Sequence, residues 1–299
     1  YGEGYGGETN TGLNARGIRE NFNTYISLQE DGLPILYTPF FSEYEIRFDP
    51  SYSKVETVLG GPSGVFTAQG ASATVNFISR IPDEKEADIA FSLTDYGTYR
   101  TDFFVGGPIN DKWSATIGGY YRLGKGVRDP GYNGDDGGQV RANVRRFLGE
   151  KDQGVATVSV KVINDNTIFY TPQIVDFSSG QPEPVSGFDP RTDVLNGPDT
   201  ARIMNKTAAG PVAMNLKDGQ GSDTTQVSFK LEWDFDNCLS FLNHSRIADI
   251  TTSSFDLRGG NSSSIFTASD FIDNNSATLL NAFPTAASTR LVAINSGEE

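Results

Sequence analysis

The chain has 299 residues with 24 basic and 38 acidic side chains, and its formal net charge of −14 disfavours nucleic acid and other polyanions as partners. Its 33 glycines and 11% aromatic content favour strands and loops over helices. One cysteine and one histidine exclude an internal disulfide and a multi-histidine metal site, and they disfavour a Ser-His-Asp triad. The sequence therefore predicts no enzyme activity, no cofactor and no metal site. Cys238 is expected to be buried or sheet-facing, and His244 to be a polar strand residue.

The first 82 residues have a compact, mixed pattern that predicts a small α+β domain. A short strand is predicted from Thr24 to Gln29, and the turn dipeptide Asp31-Gly32 follows it. The segment Val55 to Arg80 contains two strand-like runs separated by Gly60 to Gly64. Because glycine and proline allow backbone conformations that break a strand, an irregular turn is expected at this interruption.

Two short motifs in this region resemble functional sequences but lack the required context. GEGYGG, from Gly2 to Gly7, fits G-x-G-x-x-G, yet no predicted strand precedes it and no helix pattern follows. The sequence GGPSG around Ser63 lacks the spacing of a nucleophile elbow and has no histidine partner. Neither motif predicts a dinucleotide site or a catalytic serine.

After Pro82 the sequence becomes a series of strands of roughly 8 to 12 residues with alternating polarity, as in transmembrane barrels. Residues 224–235 show this most clearly, because apolar and polar side chains alternate almost perfectly. The apolar face of that run comprises Val227, Phe229, Leu231, Trp233 and Phe235. The predicted strands are Ala87–Thr94, Tyr99–Val105, Trp113–Arg122, Gln139–Phe147, Val155–Ile163, Thr224–Phe235 and Leu239–Thr252.

The connections between these strands alternate between short turns and long loops. A transmembrane barrel has this asymmetry, whereas a soluble sandwich has no reason for it. Because seven strands cannot close a large barrel and a plugged lumen needs about 22, the chain is interpreted as part of a larger barrel. Two interpretations remain open for five aromatic residues, which belong either to interfacial girdles or to ordinary strand positions. They are Tyr99, Trp113, Tyr120, Tyr121 and Trp233.

One acidic loop could offer oxygen ligands to Ca²⁺. It contains Asp129, Asn133, Asp135 and Asp136. Because the loop lacks the spacing and the terminal glutamate of an EF-hand, a solvated hairpin loop is the preferred interpretation.

Four motifs in the first part of the chain resemble the plug domain of TonB-dependent outer-membrane receptors. Arg16-Gly17-Ile18 is similar to the family's RGF, and Gln29 to Pro34 to its DGVP turn. Val55 to Phe66 resembles the family's strand and Gly-Pro turn, and Val75 to Arg80 its final plug strand. The match covers roughly residues 10 to 82, and the barrel-like strands that follow agree with it in style.

The resemblance implies an α+β plug domain followed by antiparallel transmembrane β-barrel strands, an incomplete part of a plugged barrel of about 22 strands. It assigns residues 1–82 to the plug, with the N-terminal part missing, and residues 83–299 to about seven barrel strands with long extracellular loops.

The implied function is TonB-dependent active uptake of a scarce nutrient across the outer membrane of a Gram-negative bacterium, with the plug gating the barrel. A ferric siderophore, cobalamin and an oligosaccharide all fit as the nutrient. The implied partners are TonB with its inner-membrane energising complex, the small nutrient ligand and outer-membrane lipid, with no nucleic acid.

The resemblance also implies which residues form the substrate site, because apical plug loops contact the ligand in this family. The implied substrate-binding residues are Tyr5, Glu8, Arg19, Glu20, Asn21, Phe22, Asn23, Tyr37, Thr38, Phe40 and Phe41. The residues of the structural plug motif are Arg16, Gly17, Asp31, Gly32, Gly61, Pro62 and Asn76.

An alternative function is a secreted β-rich binding or adhesion domain, in which the strands would form a soluble sandwich; a hydrolase ranks third. The direction that each strand faces distinguishes the two leading interpretations. A barrel needs apolar side chains towards lipid and polar ones towards the lumen.

Overall fold

The computed structural model describes residues 13–15, 18–20, 26–35, 45–59, 73–168, 170, 175–176, 178–198, 201–235 and 238–255, without the side chains of 13–20 and 205–207. These residues form mainly β-strands and turns, with 3-10 helical geometry at Glu45 and at Leu216–Asp218 and no α-helix among the described residues. No helix in the described ranges is long and apolar enough to cross a membrane. The predicted preference for strands is thus seen throughout the described chain.

A small sheet forms the first structural unit. It consists of β3 (Ile26–Glu30), β4 (Leu33–Pro34), β5 (Tyr52–Leu59) and β6 (Ala73–Ser79), in the order β4-β3-β6-β5. Strands β3 and β6 are parallel, whereas β5 pairs antiparallel with β6, so the chain reverses between Leu59 and Ala73. A separate short hairpin precedes the sheet, with β1 at Leu13–Ala15 and β2 at Ile18–Glu20.

The small sheet packs around its own apolar core. Its buried cluster comprises Ile26, Leu28, Ile35, Ile46, Ala73 and Phe77. We call the described residues 26–80 the plug.

Seven antiparallel strands form the second unit, which we call the wall. Each strand pairs with its neighbour in sequence order within the sheet, as expected for an up-and-down barrel, and the sheet is open. The wall comprises β7 (Glu86–Leu93), β8 (Thr98–Asn110), β9 (Trp113–Gly124), β10 (Asp135–Leu148), β11 (Gly154–Thr167), β16 (Gln220–Phe235) and β17 (Leu239–Ser254). All seven predicted strands are present, and each extends further at one or both ends than the sequence pattern indicated, although β7 also ends one residue earlier.

The wall buries its polar face and exposes its apolar face. Gln226 and Ser228 are 6% and 7% exposed, whereas Val227 and Phe229 between and beside them are 47% and 41% exposed. A soluble sandwich would bury the apolar face instead. The polar face contacts the plug, as Arg141 does on Glu30. The predicted fold class, a plug followed by part of an antiparallel transmembrane barrel, is therefore confirmed, although the described plug residues contain no α-helix.

The connections separate the two ends of the wall. Short turns at 111–112 and 149–153 lie at one end, together with the connection from Phe235 to Leu239, and we call this the short-turn end. The other end carries the link 94–97, the long loop 125–134 and the still longer connection between β11 and β16. The longest loop contains two small hairpins, β12 (Val175–Asp176) with β13 (Glu183–Pro184) and β14 (Arg202–Thr207) with β15 (Gly210–Asn215).

One sequence expectation was wrong at a single residue, and at another residue one of two open alternatives is excluded. Cys238 is exposed with a positive φ of 62° in the turn after β16, because a two-strand reversal here leaves no sheet position for it. Tyr120 cannot belong to an external aromatic girdle, because it faces the plug side of β9 and is only 1% exposed. Its ring packs against the Arg100 guanidinium, whose Cζ lies 4.0 Å from the ring centroid. Tyr99, Trp113 and Tyr121 do point outwards.

Candidate functional site

The interface between plug and wall is built from buried charges, and Glu30 at the end of β3 is its centre. Its carboxylate accepts hydrogen bonds from Arg141 Nη1 at 2.5 Å and from Gln226 Nε2 at 3.1 Å. Lys161 Nζ lies 3.1 Å from Oε2, and Arg246 donates to the Glu30 backbone carbonyl at 2.9 Å. Four successive wall strands, β10, β11, β16 and β17, thus converge on one plug residue.

The charge state of Glu30 follows from these contacts. Burial by itself would raise the pKa of the Glu30 carboxyl, but the positive charges of Arg141, Lys161 and Arg246 hold that pKa well below its usual range. Tyr52 of the plug donates a hydrogen bond to the same carboxylate at 2.7 Å. Burial also raises the pKa of the Tyr52 hydroxyl well above its usual value, so Tyr52 stays a neutral donor.

A second buried ion pair lies closer to the long loops. Arg47 of the plug contacts Asp165 of β11 at 2.5 Å, with both side chains fully buried. Arg122 of β9 donates two hydrogen bonds of 3.0 Å to the same carboxylate, from Nε and Nη2. Such two-pronged pairing fixes geometry as well as charge, so this cluster sets the orientation of the plug segment around Arg47.

Two further plug carboxylates bind neutral wall side chains. Glu45 accepts hydrogen bonds from Ser222 at 2.5 Å and Thr224 at 2.6 Å, both on β16. Asp49 accepts one from Gln139 Nε2 of β10 at 2.5 Å. The interface therefore depends on directional polar contacts along its length, which are of a kind that water also makes.

Arg80 lies where the chain passes from the plug to the wall. Arg80 follows β6 directly and forms ion pairs of 2.6 Å with Glu86 and Asp88 of β7. Its guanidinium also lies over the Phe104 ring, 4.1 Å from the centroid. This residue anchors the end of the plug to the first wall strand.

Most residues of the predicted substrate site lie outside the described part of the chain, so that assignment stays a prediction. Only the backbones of Arg19 and Glu20, in β2, are described. The predicted substrate-site residues that lie wholly outside the described part are Tyr5, Glu8, Asn21, Phe22, Asn23, Tyr37, Thr38, Phe40 and Phe41. The same holds for Arg16, Gly17, Gly61 and Pro62 of the plug motif.

The remaining three residues of the predicted plug motif meet in one turn. Asp31 and Gly32 have φ angles of 52° and 89°, and they reverse the chain between β3 and β4. Asn76 Oδ1 of β6 accepts a hydrogen bond from the Gly32 amide at 2.9 Å, and Asp31 accepts two from Ser79. The motif thereby fixes the turn to the parallel strand beside it.

The acidic loop holds no calcium-type cluster. Asp129 pairs with Lys125 at 2.5 Å, and Asp135 accepts a hydrogen bond from Thr167. Among the described residues there is no group of three or more His, Cys, Asp or Glu arranged to hold a metal ion. The preferred interpretation, a solvated acidic hairpin loop, stays a prediction.

Sequence reasoning did not identify the charged interface. Arg141, Lys161 and Asp165 each occupy an inward position in an alternating strand, which places a charge where only a plug can neutralise it. That position was a usable signal. Glu30, by contrast, gave none, because nothing in the local sequence shows that the end of β3 is buried.

Comparison with solved structures identifies the fold. The chain resembles the ferric-catecholate import receptor Fiu from E. coli K12 (TM-score 0.56, 15% identity, 83% of this chain and 35% of that chain). It also resembles the ferric yersiniabactin uptake receptor FyuA from Yersinia pestis (TM-score 0.54, 14% identity, 83% of this chain and 36% of that chain). A third match is the ferripyoverdine receptor of the outer membrane of Pseudomonas aeruginosa (TM-score 0.52, 17% identity, 77% of this chain and 27% of that chain).

These matches define a class of protein by its fold. The chain has the plugged-barrel fold of TonB-dependent outer-membrane receptors, and it spans about a third of the length of the receptors it matches. No protein-family model matches the sequence. No curated protein matches it either.

Proposed function

We propose that the whole protein takes up a scarce nutrient across the outer membrane of a Gram-negative bacterium in a TonB-dependent manner, without catalysis. The observation that carries this proposal is the plug itself, which is held against the polar face of the wall by buried ion pairs at Glu30 and Asp165. An apolar interface would resist separation in water, whereas an ionic one can exchange its contacts for hydration. Such an interface suits a plug that must move and return.

The domain arrangement and ligand belong to the same proposal. Residues 1–82 form the plug and residues 83–299 begin the barrel, with the predicted apical residues around Arg19 and Tyr37 contacting the ligand. The matched receptors are described as binding ferripyoverdine or importing ferric catecholates and ferric yersiniabactin. A ferric siderophore is therefore the first ligand to test, ahead of cobalamin and oligosaccharides. TonB and its energising complex would supply the work.

A reversible disulfide bond between plug and wall tests this proposal. A Cβ atom built at Gly118 of β9 would lie 2.8 Å from Ser51 Oγ of the plug, so Ser51→Cys with Gly118→Cys can form a disulfide. The pair is made in the intact protein with Cys238→Ser, which removes the exposed thiol. The two single-cysteine variants control for local strain at Gly118.

Uptake of radioactive iron is measured in cells where the protein is the only receptor of this class, supplied with siderophores from an iron-starved culture of the source bacterium. We expect energy-dependent accumulation that the disulfide abolishes and a reductant restores, with the single variants active. Uptake that continues in the oxidised double variant would contradict plug gating. Absence of accumulation for iron, cobalamin and oligosaccharides alike would contradict the transport proposal.

A further inference from the structure

A polar cavity of about 260 Å³ lies between the plug and the wall, towards the short-turn end. The plug contributes Asp31, Asn76, Ile78 and Ser79 to its lining, Ile81 follows directly after the plug, and the wall contributes side chains from β10, β11, β16 and β17. At roughly 30 Å³ per water molecule, the space equals about nine waters, enough for a small organic or inorganic anion. None of the interactions described so far uses this space.

The strand register places four polar side chains in a row across the wall of the cavity, two of which, Arg145 and Lys230, are cationic. Arg145 pairs with Thr157, Thr157 with Lys230, and Lys230 with His244, so the four residues stand side by side on adjacent strands. All four line the cavity. We call these residues the cavity row.

A similar row, two inward positions nearer the long loops, shows what such an arrangement binds. Arg141, Lys161 and Gln226 are also register partners, and they hold the carboxylate of Glu30. Arg141 and Arg145 are separated by four residues of one strand, or about 13 Å. Glu30 neutralises the row that contains Arg141, whereas no plug carboxylate among the described residues pairs with Arg145 of the cavity row.

The acids near the cavity row are already engaged. Glu232 pairs with Lys230 at 2.9 Å, and Asp31 lies 4.0 Å from Arg141 Nη2 and accepts two hydrogen bonds from Ser79. Arg145 has no hydrogen-bonded or ion-paired partner among the described residues, and its Nε is shielded from solvent. A guanidinium with a shielded, unused donor is costly unless a ligand or water satisfies it.

The geometry points to an anion-binding site at the cavity row, which takes a small ligand with a carboxylate or phosphate group. Arg145 provides the charge and a planar set of donors, which fits either group. The hydroxyls of Thr157, Ser159 and Ser228 add neutral donors around it. This site lies on the opposite side of Glu30 from the long loops, so it is separate from the predicted apical substrate site.

Calorimetric titration of the intact, detergent-purified protein with citrate and, separately, with inorganic phosphate at low ionic strength tests the site. We expect saturable binding of at least one probe, and the better probe identifies a carboxylate or a phosphate ligand. Arg145→Gln should weaken that binding at least tenfold. The matched control is Arg146→Gln, which removes the same charge from the adjacent, outward-facing position over Trp113 and should leave binding unchanged.

If Arg145→Gln does not assemble in the membrane, Lys230→Gln serves as the second variant, with an expected weakening of severalfold. Absence of saturable binding of both probes to the wild type would overturn the proposal. So would equal binding by wild type and Arg145→Gln, or equal loss in Arg145→Gln and Arg146→Gln. These results do not depend on nutrient uptake, because binding is measured without transport.

Discussion

Arg141 Nη1 on the wall lies 2.5 Å from Glu30 Oε1 on the plug, and the two side chains are only 4% and 1% exposed. Arg141 also stacks over the Tyr52 ring, with its Cζ 4.2 Å from the centroid. One arginine therefore joins two plug strands, β3 and β5, to the wall. The relationship explains why a carboxylate can be buried here, since charge, hydrogen bonds and ring contact all act on the same group.

Replacing Glu30 by glutamine should loosen the plug. The substitution leaves Arg141, Lys161 and Arg246 buried around a neutral side chain, and removing one partner from a buried ion cluster typically costs about 3–5 kcal/mol. Hydrogen exchange of β3 and β6 in the intact protein measures this loss of protection. The control is Glu56→Gln on β5, whose exposed pair with Lys54 is worth less than about 1 kcal/mol. Equal exchange in both variants would contradict a central role for Glu30.

Acid should weaken the plug only at low pH. Because the folded-state pKa of Glu30 lies below its ordinary value, its contribution is fully present above the ordinary carboxyl pKa of about 4.3 and is lost as pH falls through the lower, folded value. We expect the difference in exchange between wild type and Glu30→Gln to be constant from pH 7 to about pH 5. It should shrink in stronger acid. A difference that already disappears at about pH 6 would mean that Glu30 is not held ionised.

Alanine at Gly32 should destabilise the turn between β3 and β4. Its φ of 89° is unfavourable for any residue with a Cβ, although the site has room for one, so the cost is backbone strain of about 1–2 kcal/mol. Loss of exchange protection should be confined to the plug strands. Gly180→Ala provides the control, because it has nearly the same φ of 82° and equal space in a loop of the wall. Loss of protection in the plug from Gly180→Ala would refute a local effect.

Lysine on the outer face of the wall should obstruct membrane assembly according to depth. Val227 lies in the middle of β16 and Leu239 at the short-turn end of β17, and both are exposed. Lysine near the bilayer midplane costs about 2–4 kcal/mol, whereas near the interface it costs about 0–1 kcal/mol. Urea-dependent folding into lipid vesicles should show the larger loss for Val227→Lys. Equal losses would indicate that this face does not contact lipid.

The sequence by itself predicted the strands, their faces and the class of fold. Alternation in residues 224–235 is a local property, since side chains on a strand point to opposite faces with a period of two. The turn at Asp31-Gly32 was equally readable, because its backbone conformation favours those residues. The plug motifs indicated the fold of TonB-dependent receptors, and the comparison with solved structures then supported that fold.

Only the tertiary structure decided which charges meet. Glu30 and Arg141 are 111 residues apart, and Glu30 and Gln226 are 196 apart, so no local pattern could pair them. The cavity row likewise depends on the register of four strands, which brings Arg145 and His244 to the same level. Local rules set the direction of each side chain, but the closure of long loops in the chain determines its partner.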